Sequence, residues 1–79
     1  MLSEFEADTA EYILSKFAMV YIYVDERKYG YSVRAQLKGS EANLLWTRYR
    51  HIVTETRIRL PGAFIAGSVK DGLLLVEIY

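Results

Sequence analysis

An Asp-Gly dipeptide at residues 71–72 separates two short apolar segments and constrains the fold more than any other feature of the sequence. Asp-Gly favours the two-residue turns whose twist matches that of a β-hairpin. We therefore predict a hairpin with strands at residues 63–69 and 73–79. A two-residue turn also fixes the register, placing on one face the pairs Val69 with Leu74, Gly67 with Val76, and Ile65 with Ile78.

A second hairpin is predicted earlier in the chain. Residues 19–25 are rich in β-branched and aromatic side chains, and residues 31–38 alternate between apolar and polar types. Residues 25–30 would form the turn. We expect the first strand to direct Val20, Ile22 and Val24 towards the core and Met19, Tyr21 and Tyr23 away from it. The outward positions of the second strand would be Ser32, Arg34, Gln36 and Lys38.

Two helices are indicated by capping signals and apolar spacing. Ser3 followed by Glu6 is a capping-box pattern, which predicts a helix over residues 3–17. Ser40 is expected to cap a second helix over residues 41–56. The predicted buried face of the first helix is Ala7, Ala10, Ile13, Leu14 and Phe17, and that of the second is Ala42, Leu45, Trp46, Tyr49, Ile52 and Val53.

The elements combine into one α+β domain spanning residues 1–79. The order α-β-β-α-β-β predicts a four-stranded antiparallel sheet with both helices on one face. Strand order between the hairpins stays open. With 79 residues and no cysteine, the core is small and no disulfide can supplement it. The longest uncharged stretch, residues 60–69, is too short to span a bilayer, so we expect a soluble cytoplasmic protein.

The sheet face that the helices leave uncovered is the main candidate for function. It would expose an unusual set of large apolar and aromatic side chains, which favours an interface. A homodimer packed through this face is the preferred interpretation, with an edge-to-edge dimer through residues 73–79 as a variant; a foreign protein and single-stranded nucleic acid are the alternatives. The candidate binding residues are Tyr21, Tyr23, Arg34, Phe64, Leu73, Leu75 and Tyr79.

The charges are distributed unevenly along a chain whose formal net charge is zero. Residues 1–26 carry six acidic side chains and one basic, whereas residues 27–59 carry eight basic and two acidic. Such asymmetry is compatible with nucleic-acid binding or with mutual neutralisation, within one chain or between subunits. The first turn supplies the alternative nucleic-acid contact, comprising Arg27, Lys28, Tyr29 and Tyr31, unless it is simply a solvated hairpin tip.

No pattern in the sequence indicates catalysis. His51 is the only histidine, and without cysteine it has no partner with which to complete a metal site. Neither a phosphate-binding glycine loop nor a nucleophile elbow occurs. We therefore expect a non-catalytic protein-binding module, regulatory or inhibitory in character, homodimeric and without cofactor or metal. The alternative is a single-stranded nucleic-acid-binding protein that uses sheet tyrosines and basic residues.

Overall fold

The computed structural model describes residues 1–79 and has the predicted α+β fold. Two helices and four strands follow one another in the order α-β-β-α-β-β, and all strand pairs are antiparallel. The elements are α1 (Glu4–Lys16), β1 (Val20–Arg27), β2 (Gly30–Lys38), α2 (Ala42–Arg59), β3 (Ile65–Lys70) and β4 (Leu73–Ile78).

The last strand of the chain lies inside the sheet. The spatial order is β1-β2-β4-β3, so β2 and β4 join the two hairpins and β1 and β3 form the edges. An edge-to-edge dimer through residues 73–79 is therefore wrong as a variant, because β4 is hydrogen-bonded on both sides. The sequence left this choice open, since either strand of the second hairpin could have paired with the first.

The second hairpin has the predicted register. Asp71 and Gly72 form the turn, both with positive φ (52° and 73°), as a tight hairpin turn of this kind requires. The three expected pairs of residues on β3 and β4 are all present. Backbone bonds between Phe64 and Tyr79 extend the ladder by one pair beyond Ile65.

The first hairpin departs from strict alternation. Val20 pairs with Gln36 and Tyr23 with Arg34, so β1 holds one residue more than β2 over this interval. Tyr21 lies in this β-bulge with φ of 52°. The extra residue reverses the faces on its N-terminal side. Met19 is consequently buried and Val20 exposed, the opposite of our prediction. The turn is also shorter than predicted, because β1 continues to Arg27.

The two helices start differently. Ser3 and Glu6 close the predicted capping box of α1, with both bonds present. The prediction that Ser40 caps α2 is wrong, because Glu41 occupies the N-cap position and its side chain caps nothing. Helix α2 also runs three residues beyond the predicted end. Its fully buried residues are Leu45, Ile52 and Thr56, whereas Ala42 and Trp46, expected in the core, are exposed.

One core lies between the sheet and the two helices. Helix α1 packs on β1 and β2, and α2 packs on β3 and β4, both on the same face. The N-terminal segment completes this core in a way we did not predict. Leu2 is buried, and it exchanges two backbone bonds of 2.9 Å with Tyr31 on β2. A side chain at Gly30 (φ 152°) would meet the Leu2 carbonyl oxygen at 2.8 Å, so glycine is required there.

Candidate functional site

The face of the sheet opposite the helices has no element covering it. The pairing register assigns residues from all four strands to this surface, which we call the open face. It comprises Val20 and Tyr23 of β1, Arg34, Gln36 and Lys38 of β2, Leu73, Leu75 and Glu77 of β4, and Ala66, Ser68 and Lys70 of β3, continued by the Phe64–Tyr79 pair.

Most of the predicted binding residues meet on this face. Phe64 is 66% exposed, and its ring stacks on Tyr79 with centroids 5.7 Å apart. Leu75 and Tyr23 are 43% and 48% exposed, although each belongs to a regular strand pair. Leu73 is half-buried. They do not form one continuous patch, because Glu77 lies between Tyr79 and Leu75 on β4, and the polar outward residues of β2 lie between Tyr23 and β4.

Two residues do not behave as predicted for this face. Tyr21 is exposed, but the bulge removes it from the register, so it stands at the outer margin of the sheet. Ser32 was expected to be an outward polar residue and is buried. It has a short side chain and lies on β2, an interior strand of the sheet.

An ion pair occupies the middle of the open face. The Arg34 Nε donates to the Glu77 carboxylate at 2.9 Å, and both side chains are partly exposed. The hydrogen bond to Glu77 raises the pKa of Arg34, and a smaller effect of the same sign comes from Tyr23. The guanidinium is therefore charged but locally neutralised, which leaves the centre of the face without a free charge.

A shallow groove runs beside this ion pair. Its volume is about 350 Å³, and its lining includes Tyr23, Leu75 and the Arg34–Glu77 pair. The opposite wall is low because β3 contributes small residues there. Those residues are Ala66, Gly67 and Ser68. The groove can accept an inserted side chain, but it is open to solvent along its length.

The residues of the alternative basic site do not form one continuous surface. Arg27 is held by Asp25 at 2.8 Å, so its charge is already paired. Lys28 lies 5.3 Å from the centroid of the exposed Tyr29 ring. Tyr31 instead packs against the core, and the Glu26 carboxylate is the main cause that raises its pKa. Only the tip, Lys28 and Tyr29, is left free to contact a ligand.

The acidic first helix is not neutralised by the basic segment through ion pairs. None of the four salt bridges uses an acidic residue of α1. The bridge between the helices runs the other way, from Lys16 of α1 to Glu55 of α2, which also binds Arg59. These two cations, Arg59 first, lower the pKa of Glu55.

The last features to consider are the single histidine, metal binding and the capacity of the helices to span a membrane. His51 is exposed, with its ring 6.3 Å from that of Phe17. No group of three His, Cys, Asp or Glu side chains is positioned to hold a metal ion. Neither helix combines the length and apolar character needed to cross a bilayer.

Comparison with known proteins adds no relative to this description. No protein-family model, no curated protein and no solved structure matched the chain.

Proposed function

We propose that this protein is a small, non-catalytic protein-binding module that self-associates by packing the open faces of two copies against each other. The observation that carries the proposal is the exposure of Tyr23, Leu75, Phe64 and Tyr79 on a face with no covering element. An antiparallel sheet with one solvated face ordinarily presents polar side chains there. Several large apolar side chains exposed on one uncovered face favour an interface.

Burial of this surface would stabilise a dimer, though a weak one. Fully burying a large apolar side chain contributes about 1.5–3 kcal/mol. Four strands about 4.8 Å apart and about six residues long present roughly 400 Å² in projection, so two faces bury roughly 800 Å². That area is at the low end for specific complexes. The monomer already has a continuous core, so we expect a reversible dimer with a micromolar dissociation constant.

The charges on the face favour a protein rather than nucleic acid. Arg34 is paired with Glu77, so placing a phosphate on it would require breaking that pair or adding an anion beside a carboxylate. Arg27 is likewise paired with Asp25. Nucleic-acid binding depends largely on free cations that replace condensed counterions. On the open face only Lys38 and Lys70, both at one end, lie outside salt bridges, so the sheet tyrosines would have to supply most of the affinity.

We propose that the protein acts by surface contact, as regulatory or inhibitory proteins can, and that it uses no cofactor or metal. The four residues with shifted pKa values are Glu6, Tyr31, Arg34 and Glu55, and each is explained by an ion pair, a cap or a neighbouring carboxylate. We further propose a cytoplasmic location, where a chain without cysteine is at no disadvantage.

Sedimentation equilibrium tests the dimer. The wild-type chain is expected to pass from monomer to dimer as its concentration rises through the micromolar range. Leu75→Lys places a charge on the open face and should weaken the dimer at least tenfold. Leu44→Lys is the matched control, because Leu44 is 65% exposed on α2 and lies outside that face. His51→Ala should also leave the dimer intact.

Two results would contradict the proposal. One is a 9.1 kDa monomer at all concentrations, and the other is a dimer equally weakened by the Leu44 control. A titration with mixed-sequence single-stranded oligonucleotides examines the alternative function. Micromolar binding that falls steeply with salt and is lost in Arg27→Ala/Lys28→Ala would favour the nucleic-acid function instead.

A further inference from the structure

Strand β3 has a free edge whose backbone groups can be assigned. Phe64 and Tyr79 exchange both backbone bonds, at 2.7 and 2.9 Å. In an antiparallel ladder, such hydrogen-bonded pairs alternate with pairs that are not bonded to each other. Ala66, Ser68 and Lys70 therefore direct their N–H and C=O groups towards β4. The intervening residues, Ile65, Gly67 and Val69, direct theirs outward, where no other strand pairs with β3.

This edge lacks the features by which proteins usually block strand addition. Sheet edges are protected by bulges, prolines and charged side chains. Edge strand β1 has a bulge at Tyr21 and the Asp25–Arg27 ion pair. Strand β3 contains no proline and pairs in unbroken register, and its one charged residue is Lys70 at the end. Its outward groups thus form a regular row that matches the backbone of another extended segment.

An aromatic pair from α2 lies beside this row. The ring of Tyr49 occupies the space above Gly67, where any side chain would overlap it. Trp46 packs edge-on against Tyr49 with centroids 5.5 Å apart, and it is 39% exposed. The two rings help to line a depression formed by α2 residues, together with Asn43, Thr47 and Arg50. An added strand would find an apolar contact here for its side chains.

The charges near the depression select the kind of strand. Arg50 lines it, and Arg57 lies seven residues further along the same face of α2. Neither guanidinium takes part in a salt bridge, and no acidic residue lines the depression. If β3 paired with β3 of a second copy in an arrangement centred on Gly67, Arg50 of one copy would approach Arg50 of the other. Charge complementarity therefore favours a foreign acidic segment over self-pairing.

We propose that the β3 edge accepts an extended acidic segment of another protein as a fifth strand of the sheet. The outward groups of Ile65, Gly67 and Val69 would bind its backbone, Trp46 and Tyr49 would contact its apolar side chains, and Arg50 and Arg57 would attract its carboxylates. This mode gives affinity through the main chain and selectivity through alternate side chains. The interface is separate from the open face and does not require the dimer.

The test uses a fluorescein-labelled octapeptide with an amidated C-terminus, in which every second residue is serine and the residues between them alternate valine and glutamate. Because successive side chains of a strand point to opposite faces, this spacing presents both valine and glutamate to α2. Its binding to the full chain is followed by fluorescence anisotropy. Two comparison peptides separate the contributions: one has lysine in place of each glutamate, and the other is the acidic peptide methylated on alternate backbone nitrogens. We expect saturable binding of the acidic peptide and at least about tenfold weaker binding of each comparison peptide.

Matched variants assign the binding to the edge. Val69→Pro removes one outward N–H without removing a bond to β4, and Val69→Ala removes the same side chain but keeps that N–H. We expect Val69→Pro to bind about tenfold more weakly than Val69→Ala. Arg50→Gln should weaken binding about threefold, whereas Lys28→Gln, the same charge change at the far hairpin tip, should not. Circular dichroism verifies that each variant is folded.

Several outcomes would overturn the proposal. They are absence of saturation by the acidic peptide up to about 1 mM, equal binding of the lysine or methylated peptide, and equal affinity of the Val69 variants. A dimer that dissociates in Val69→Pro would identify a second copy as the occupant instead. Leu75→Lys distinguishes the two interfaces, because it should weaken the open-face dimer and leave peptide binding unchanged.

Discussion

The first half of the chain, from α1 through β2, and the second half, from α2 through β4, share the order helix then hairpin. In the first half the helix begins with a closed capping box, and the hairpin contains a bulge and depends on Leu2 for an extra pairing. In the second half the helix begins without a side-chain cap, and the hairpin pairs without interruption. Local signals thus define the helix in one half and the hairpin in the other.

This difference also separates the two edges of the sheet. The bulge at Tyr21 closes the β1 edge to regular pairing, whereas the undisturbed register of β3 leaves its edge able to pair. A regular strand therefore carries a risk of unwanted association that an irregular strand avoids. If the β3 edge binds a partner, the same regularity is the basis of its function.

The largest expected effect comes from detaching the N-terminal segment from the first hairpin. Leu2→Ala should lower the free energy of unfolding by about 2–4 kcal/mol, because it leaves a cavity in the core. Urea denaturation measures the loss, and hydrogen exchange should show faster exchange of the Tyr31 amide. Phe5→Ala, at a residue 78% exposed, should change stability by less than about 0.5 kcal/mol. Equal effects of the two would show that Leu2 does not anchor this hairpin.

A substitution at Gly67 examines the second hairpin in the same way. Gly67→Ala would force the Tyr49 ring to move, at a cost of about 1–3 kcal/mol. A double-mutant cycle with Tyr49→Ala gives the coupling: the glycine substitution should cost much less once the ring is gone. Additive losses would mean that the strand itself, rather than the ring, requires glycine.

The two helix starts predict changes of opposite sign. Ser3→Ala removes a working cap and should destabilise the protein by about 1 kcal/mol. Glu41→Asn places a strong capping residue where the side chain now caps nothing, and should stabilise it by about 0.5 kcal/mol. Thermal unfolding of the two variants beside the wild type is sufficient. A loss of stability in both variants would indicate that Glu41 has a role outside the cap.

The smallest effect concerns pH and the other member of the capping box. The Ser3 backbone N–H donates to the Glu6 carboxylate, and this bond is the main cause that lowers the Glu6 pKa. Because the folded-state pKa is depressed, the contribution to stability is present above the unfolded-state pKa and is lost as pH falls through the folded-state value. Glu6→Gln should therefore melt below the wild type at pH 7 and approach it in acid. A pH-independent difference would assign the effect to shape rather than charge.

The sequence predicted those parts of the fold that depend on short-range signals. The capping box at Ser3 and the turn at Asp71 acted locally, and both elements formed as expected. The bulge at Tyr21 had no such signal, since residues 19–25 alternate regularly as a sequence, and the faces of Met19 and Val20 were therefore misassigned. The face to which each of these side chains points depends on how β1 packs against the rest of the protein, and the sequence of one strand does not reveal that packing.

The two candidate sites differ in the same way: the sequence predicted the open face but not the β3 edge. The open face followed from alternation, so Phe64, Leu75 and Tyr23 were foreseen. The β3 edge could not be derived, because it depends on β4 rather than β3 joining the other hairpin. The spacing of Trp46 indicated the core, and only the three-dimensional arrangement shows it exposed and packed on Tyr49, whose ring lies over Gly67.

The interior position of β4 has a consequence for how the chain acquires its structure. During synthesis both helices and three strands leave the ribosome before the strand that joins the two hairpins. Until Ile78 reaches Val33, β2 lacks its second neighbour and the two halves share no sheet. Closing so long a loop carries an entropic cost that local contacts do not offset, so we expect the final step of folding to be slow and cooperative. Throughout this interval the nascent chain would expose the edge of β2 that β4 later covers, and β3 would have no strand partner at all.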